Sequence, residues 1–173
     1  MGYVCIAVSK MNIFLSLLFG VLTALCIMSF ALPYYKRQKF FVAFNQFLDN
    51  ISLNTSFFQN DLHTIINQTS KYSGTFEQVI KAYNHYLSTN DQSILNNEIQ
   101  QITSIDTNDK MQLTQFLVSL GKSDCETQAS NTKLAMQYVK DRLEQTRQEI
   151  SNKAVLIQKL GIIAGLVVFV LLL

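Results

Sequence analysis

The stretch ETQASNTKLAMQYVKDRLEQTRQEISNKAVLIQKLGIIAGLVVFVLLL, residues 126–173, decides the fold. Met136, Val139, Leu143, Thr146, Ile150, Lys153, Ile157 and Leu160 step by three and four alternately, a heptad seam that is apolar except at Thr146 and Lys153. No glycine or proline breaks the pattern before it enters a run that carries no charge from Leu160 to Leu173. One continuous helix from Glu126 into that apolar end is therefore expected, long enough to extend beyond a small bundle and meet a partner helix. Leu160 to Leu173 is apolar on every face, which suits lipid better than the core of a small domain. Fourteen residues fall short of a bilayer span. Extension back over Ala154 to Ile157 lengthens the run and leaves Lys159 to snorkel.

The other end of the chain carries a second such run. Ile13 to Leu32 is twenty residues without a charge. A helix of that length spans about 30 Å, the thickness of a hydrocarbon core. Pro33 cannot continue the helical ladder and is the expected stop. A cleaved signal peptide is the competing reading, with small residues at Ser29 and Ala31. Against it stand the length of the run and the basic residues that follow at once. Lys36, Arg37, Lys39, Lys153 and Lys159 flank the anchors on the side of the middle segment, and only Lys10 lies beyond. The positive-inside rule then places the middle segment in the cytoplasm. Residues 1–12 are set apart as a tail, with Met11 as a sensible start and the preceding decapeptide as an extension. The expected organisation is a tail over 1–12, a transmembrane helix over 13–32, a cytoplasmic helical bundle over 33–159 and a membrane helix over 160–173.

Composition agrees. Charged residues are 15% of the 173 residues, against about a quarter in an average soluble domain, and the deficit is confined to the two ends. Net charge is +2, with one dense basic cluster beside the first anchor, so nucleic-acid binding is not indicated. Cys5, Cys26 and Cys125 have neither metal-ligand nor redox spacing. Three reduced thiols fit a domain facing a reducing cytoplasm.

Between Pro33 and Lys159 the apolar residues recur at three and four, without strand-like alternation. Phe40, Phe41, Phe44, Phe47, Leu48 and Ile51 make the first stripe. Phe57, Phe58, Leu62, Ile65 and Ile66 make a second, and Phe76, Val79, Ile80, Tyr83, Tyr86 and Leu87 a third. Ile94, Leu95, Ile99 and Ile102 follow, then Met111, Leu113, Phe116, Leu117 and Leu120. Turn chemistry separates them at Asn54-Thr55-Ser56, Ser73-Gly74-Thr75 and Thr89-Asn90-Asp91. Thr75 with Gln78 fits a capping box. Gly121 suits a left-handed residue past a helix end, and Ser123 with Glu126 fits a second capping box. The fold class is all-α: a membrane-anchored bundle of about six helices, with a transmembrane helix at each end.

Catalytic signatures do not emerge. His63 and His85 each lack a second histidine or a carboxylate at helical spacing, so both read as polar-face residues rather than metal ligands. No phosphate-binding glycine loop or nucleophile motif occurs. Asp141, Glu144 and Glu149 alternate with Lys140, Arg142 and Arg147, as on a solvated helix face. The triplets at Asn50, Asn54 and Asn67 are expected by chance in a chain rich in asparagine, serine and threonine. No enzyme activity, cofactor, metal, nucleic acid or small-molecule substrate is expected.

The carboxyl half carries a more specific pattern. Leu120-Gly121, Asp124, Gln128, a long charged helix, Lys159-Leu160-Gly161 and Gly165 before a leucine-rich end together resemble stage III sporulation protein AB of endospore-forming bacteria. The resemblance covers roughly Met11 to Leu173; this chain is poorer in charge and richer in asparagine. It implies a helical domain like that of the platform protein of type II secretion and type IV pilus machines. It also implies a place in a channel-like complex that the mother cell builds in the membrane around the forespore, supporting late forespore gene expression. A cytoplasmic ATPase and other channel subunits are the implied partners, and the role is a non-catalytic scaffold. Leu120, Gly121, Ser123, Asp124, Gln128, Gly161 and Gly165 carry the family pattern. Two other readings compete. A sensor bundle of chemoreceptor type predicts an extracytoplasmic middle segment and a signalling domain after the second anchor. A secreted helical protein predicts cleavage after Ala31.

Overall fold

The computed structural model describes residues 2–55, 66, 74–120 and 125–172, with side chains placed for 12–53, 66, 74–120 and 126–172. The described residues are helical throughout apart from short connections, and no strand occurs among them. The elements are α1 (Gly2–Ser29), α2 (Leu32–Thr55), α3 (Thr75–Thr89), α4 (Gln92–Gln101), α5 (Thr107–Ser119), α6 (Cys125–Glu149), a π turn (Ile150–Ala154) and α7 (Val155–Leu172). They form two compact units, Met1–Tyr35 with Arg147–Leu173, and Lys36–Thr146.

The first unit holds the two apolar helices. The windows within Asn12–Leu53 and Glu126–Leu172 are long and apolar enough to cross a membrane, and only 11% of each window is buried. Ile13, Phe14, Leu15, Leu25, Leu156, Ile163, Leu166 and Val170 are among the large apolar side chains left exposed. A water-soluble fold hides such residues, and lipid requires no such covering. The segment set apart as a tail is helical from Gly2 onward and continuous with α1. Pro33 does not itself end α1. The amides of Phe30 and Ala31 bond three residues back, to Ile27 and Met28, and tighten the end of the helix. Pro33 falls in the first turn of α2, where its missing N–H costs no hydrogen bond. Helix α7 starts at Val155 and so takes in Lys159, as the extension of the short run required.

The second unit is the bundle. Phe40, Phe41, Phe44, Phe47, Leu48 and Ile51 are all buried, and Phe76 meets Phe40, Phe44 and Phe47 with ring centroids 5.4–5.8 Å apart. Leu95, Ile99, Ile102, Leu113, Phe116, Leu117 and Val139 complete one contiguous core. Met111 departs from its stripe and is 57% exposed. Of the second stripe only Ile66 is described, and it is buried; Phe57, Phe58, Leu62 and Ile65 lie outside the described residues, as does His63.

The local turn signals hold at one helix boundary and fail at another. Asn90 ends α3 in the left-handed conformation at φ 58°, and the Asp91 side chain accepts from the Ser93 amide to open α4. The Thr75–Gln78 capping box is corrected: Gly74, at φ 81°, is the N-cap, and Thr75 is already helical. A Cβ at Gly74 has open space around it, so the positive φ alone selects glycine.

The long seam is corrected in its second half. Thr132, Val139 and Thr146 are buried at intervals of seven, and the next buried positions are Ala154 and Gly161. The single interval of eight falls on the π turn, whose wider winding absorbs one extra residue. Lys153 and Leu160, expected in the seam, are therefore exposed. The first half packs against the bundle's own core, where Met136 and Leu143 join Val139. It is not a free seam awaiting a partner helix.

Candidate functional site

Two constellations stand out, one in each unit. In the bundle, α5 opens with Asp106 just before it and Asp109 in its first turn, and both reach Arg37 of α2 and Arg142 of α6. Asp109 is 3% exposed. Its Oδ1 accepts from Arg142 Nε at 2.6 Å, from Arg142 Nη2 and from the Tyr138 hydroxyl. Its Oδ2 accepts from Arg37 Nη2 at 3.2 Å and from the Asp106 amide at 3.3 Å. Arg37 Nη2 also reaches Asp106 Oδ2 at 2.7 Å. The two guanidiniums lie over aromatic faces, Arg37 above Phe41 at 6.0 Å and Arg142 above Tyr138 at 5.6 Å.

The electrostatics follow from this geometry. Burial works against the Arg142 charge, but the hydrogen bond and charge of Asp109 outweigh it, so its pKa rises above the ordinary value. Burial raises the Tyr138 phenol, and its bond to Asp109 raises it further. Two arginines face two aspartates, so the group is formally neutral and its acceptor atoms are taken by internal donors. Such an arrangement clamps α2, α5 and α6 together; it offers no free base or nucleophile.

Arg37 lies beside the first apolar run, with its side chain 15% exposed and turned to Asp106 and Asp109. One expectation is corrected: Arg142 does not belong to a solvated face, since its side chain is 18% exposed and paired with Asp109. Lys140, Asp141, Glu144 and Arg147 are exposed as expected. Asp106, Asp109 and Tyr138 were not singled out from the sequence. The available signals were a pair of aspartates three apart at a helix start, and Tyr138 and Arg142 four apart on one helix face.

In the apolar unit, α1 and α7 run antiparallel along each other through small residues. A Cβ built on Gly20 would sit 2.7 Å from the Gly165 carbonyl oxygen, and one on Gly165 would sit 2.6 Å from that of Gly20. A Cβ on Gly161 would come within 3.2 Å of the Ala24 carbonyl oxygen. Gly20 with Ala24 and Gly161 with Gly165 are thus paired small-xxx-small motifs, which let two helix backbones approach closely in lipid. Gly161 and Gly165 entered the sequence analysis only as part of a family pattern; their four-residue spacing carried the physical signal. Ser16, one turn before Gly20, is buried, and its hydroxyl returns to the Ile13 carbonyl at 2.9 Å. Nearby, the Gln158 amide donates to the Tyr35 hydroxyl at 3.2 Å.

A match to a known family brings these features together. The stage III sporulation protein AB family covers residues 12–173. The chain belongs to that family. No curated protein and no solved structure matches it. It is thus a sporulation protein, and its two apolar helices point to membrane association. The residues that carried the resemblance lie in separate parts of the chain. Leu120 closes α5, buried, with its carbonyl accepting from the Tyr83 hydroxyl at 3.3 Å. Gly121, Ser123 and Asp124 lie outside the described residues; Gln128 is half-buried on α6. Gly161 and Gly165 form the helix crossing. Among the described residues no group of three or more His, Cys, Asp or Glu side chains converges as a metal site. His85 is exposed, with its carbonyl accepting from Ser88 and Thr89. Cys26 is a free, exposed thiol.

Grooves mark the bundle surface among the described residues. One of about 240 Å³ lies beside α5 and α6, lined by Phe44, Gln112, Gln115, Phe116, Leu134 and Tyr138 among others. A wider one of about 750 Å³ is walled by Lys36, Lys39, Gln38, Gln46, Gln101 and Ser104 with their neighbours.

Proposed function

We propose that the protein is a non-catalytic membrane scaffold of a channel-like sporulation complex, coupling a cytoplasmic ATPase to the membrane assembly. The complex would sit in the mother-cell membrane around the forespore, with the bundle in the cytoplasm. The observation that carries the proposal is the union of family membership with the disposition of charge on α6. Arg142 and Tyr138 are committed inward to Asp109, while Lys133, Leu134, Lys140 and Asp141 face outward on the same helix. One face of α6 thus holds the bundle together, and the other presents charges and an exposed leucine to a protein partner. The basic flanks favour a cytoplasmic bundle, where a soluble motor can reach it.

The experiment has two parts. Cysteine placed at exposed Ser130 reports topology: a membrane-impermeant maleimide leaves it unlabelled in intact mother cells and labels it after permeabilisation. Labelling in intact cells overturns the cytoplasmic placement. Site-specific cross-linking from position 140 then tests the partner. Capture of the secretion-type ATPase, abolished by Lys133→Glu with Lys140→Glu together with a fall in spore yield, supports coupling. A chain that never contacts the ATPase, with spore yield intact in the variant, refutes it.

A further inference from the structure

All twelve acidic residues of the chain lie between Asp49 and Glu149. That stretch holds eight bases, a balance of minus four, whereas residues 1–48 and 150–173 hold six bases and no acid. The segregation follows the apolar helices. Lys36 and Lys39 come four and seven residues after Leu32, and Lys153 and Lys159 come seven residues and one residue before Leu160. Seven residues of helix rise only about 10 Å, the depth of a headgroup layer.

The structure separates these bases into two kinds. Arg37 is withdrawn into the Asp106–Asp109 cluster. Lys36, Lys39, Lys153 and Lys159 are exposed, and none makes an ion pair or hydrogen bond among the described residues. Among the described residues no acidic side chain lines the wider groove that Lys36 and Lys39 border. Positive-inside sorting requires only that bases be present beside the anchor; it does not require that they be left unpaired while acids are kept away. Four lysines with no ion-pair partner among the described residues, carried on helices continuous with the apolar segments, match a negatively charged leaflet.

We propose that Lys36, Lys39, Lys153 and Lys159 bind the headgroups of anionic phospholipids, so that the protein gathers an anionic lipid shell around its anchors. A lysine stem beside a lipid-facing helix can lie along apolar surface while its ammonium reaches the phosphate level. Arg37, although adjacent in sequence, takes no part. The proposal rests on the membrane placement of the two apolar helices and not on ATPase coupling, so the cross-linking experiment and the one below fail independently.

The test uses the full chain reconstituted in bilayers of phosphatidylcholine containing spin-labelled phosphatidylglycerol or spin-labelled phosphatidylcholine. The motionally restricted fraction of each label gives their relative association with the protein. A preference of roughly threefold for phosphatidylglycerol is expected at low salt, below the fivefold or so that one base supports at an anionic surface. It should fall towards unity in 0.5 M sodium chloride. The quadruple variant Lys36→Gln, Lys39→Gln, Lys153→Gln, Lys159→Gln should lose the preference while keeping the wild-type helical content and thermal midpoint. Arg37→Gln should keep the preference while lowering the midpoint. Equal association of the two lipids with the wild-type chain overturns the proposal, as does a preference that survives in the quadruple variant. Displacement of phosphatidylglycerol by 10 mM inorganic phosphate, beyond that by chloride of equal ionic strength, also overturns it, since that marks a free-anion site.

Discussion

Replacing Asp109 by asparagine removes one charge and almost no volume, so it isolates the electrostatic role of the cluster. In the native bundle the Asp109 carboxylate, 3% exposed, takes bonds from Arg37, Arg142, Tyr138 and the Asp106 amide. Removing one partner of a buried pair typically costs 3–5 kcal/mol, because the remaining charge is left uncompensated. Here the remaining charges are partly relieved: Arg37 keeps Asp106 at 2.7 Å, Arg142 has Asp106 at 3.6 Å, and both side chains retain 15–18% exposure. The expected loss is therefore at the lower end, about 3 kcal/mol, or roughly 10 °C in thermal midpoint for a domain of this size. Asp106→Asn provides the internal contrast. Its side chain is 61% exposed, so its ion pairs are screened and its loss should stay within about 1 kcal/mol. Asp109→Leu combined with Arg142→Met should recover at least half of the loss seen in Asp109→Asn, since it removes both buried charges together. Circular dichroism melts of the detergent-solubilised chain measure all three. A loss below about 1 kcal/mol for Asp109→Asn, or one equal to that of Asp106→Asn, refutes the assignment of Asp109 as the centre of the clamp.

Gly165→Val should break the α1–α7 crossing, because its Cβ lies 2.6 Å from the Gly20 backbone oxygen, which cannot turn aside; a penalty of about 1–3 kcal/mol is expected from overpacking, read as lost protease resistance of the paired helices. Gly161→Ala, with its nearest contact at 3.2 Å, should cost clearly less, and an equal effect of the two refutes the geometry. Deleting exposed Asn152 removes the extra residue of the π turn and should leave the helical content and melting midpoint near the wild-type values; a large loss shows that the turn is not a one-residue insertion. Burial raises the Tyr83 and Tyr138 phenols above the ordinary tyrosine range, so folding retains their protons and stability falls as pH rises past about 10. The double variant Tyr83→Phe, Tyr138→Phe should flatten that alkaline limb in pH-dependent melts.

The two apolar helices, the helical class, the phenylalanine-rich core and the family were all legible in the sequence, since each depends on local composition or on a period of three and four. Asp91 was legible as a cap for the same reason: its partner, the Ser93 amide, lies two residues away. What depended on residues far apart in the chain was not legible. Arg37 and Lys39 sit two positions apart beside the same anchor, yet one is clamped and the other is exposed. The difference is set by Asp106 and Asp109, some seventy residues further on, which only the packing of α5 against α2 brings within reach. Arg142 left its apparent solvated face by the same route, 33 residues from its acceptor. The seam of the last helix failed at Lys153 because periodicity assumes a uniform helix, and one π turn moves every later buried position by a residue. Sequence by itself determined which segments are helices and which of those are suited to lipid, because both follow from side-chain hydrophobicity and spacing. Tertiary structure alone decided which charges are spent inside the bundle and which remain on its surface, because an ion pair depends on distance in space and not on distance along the chain.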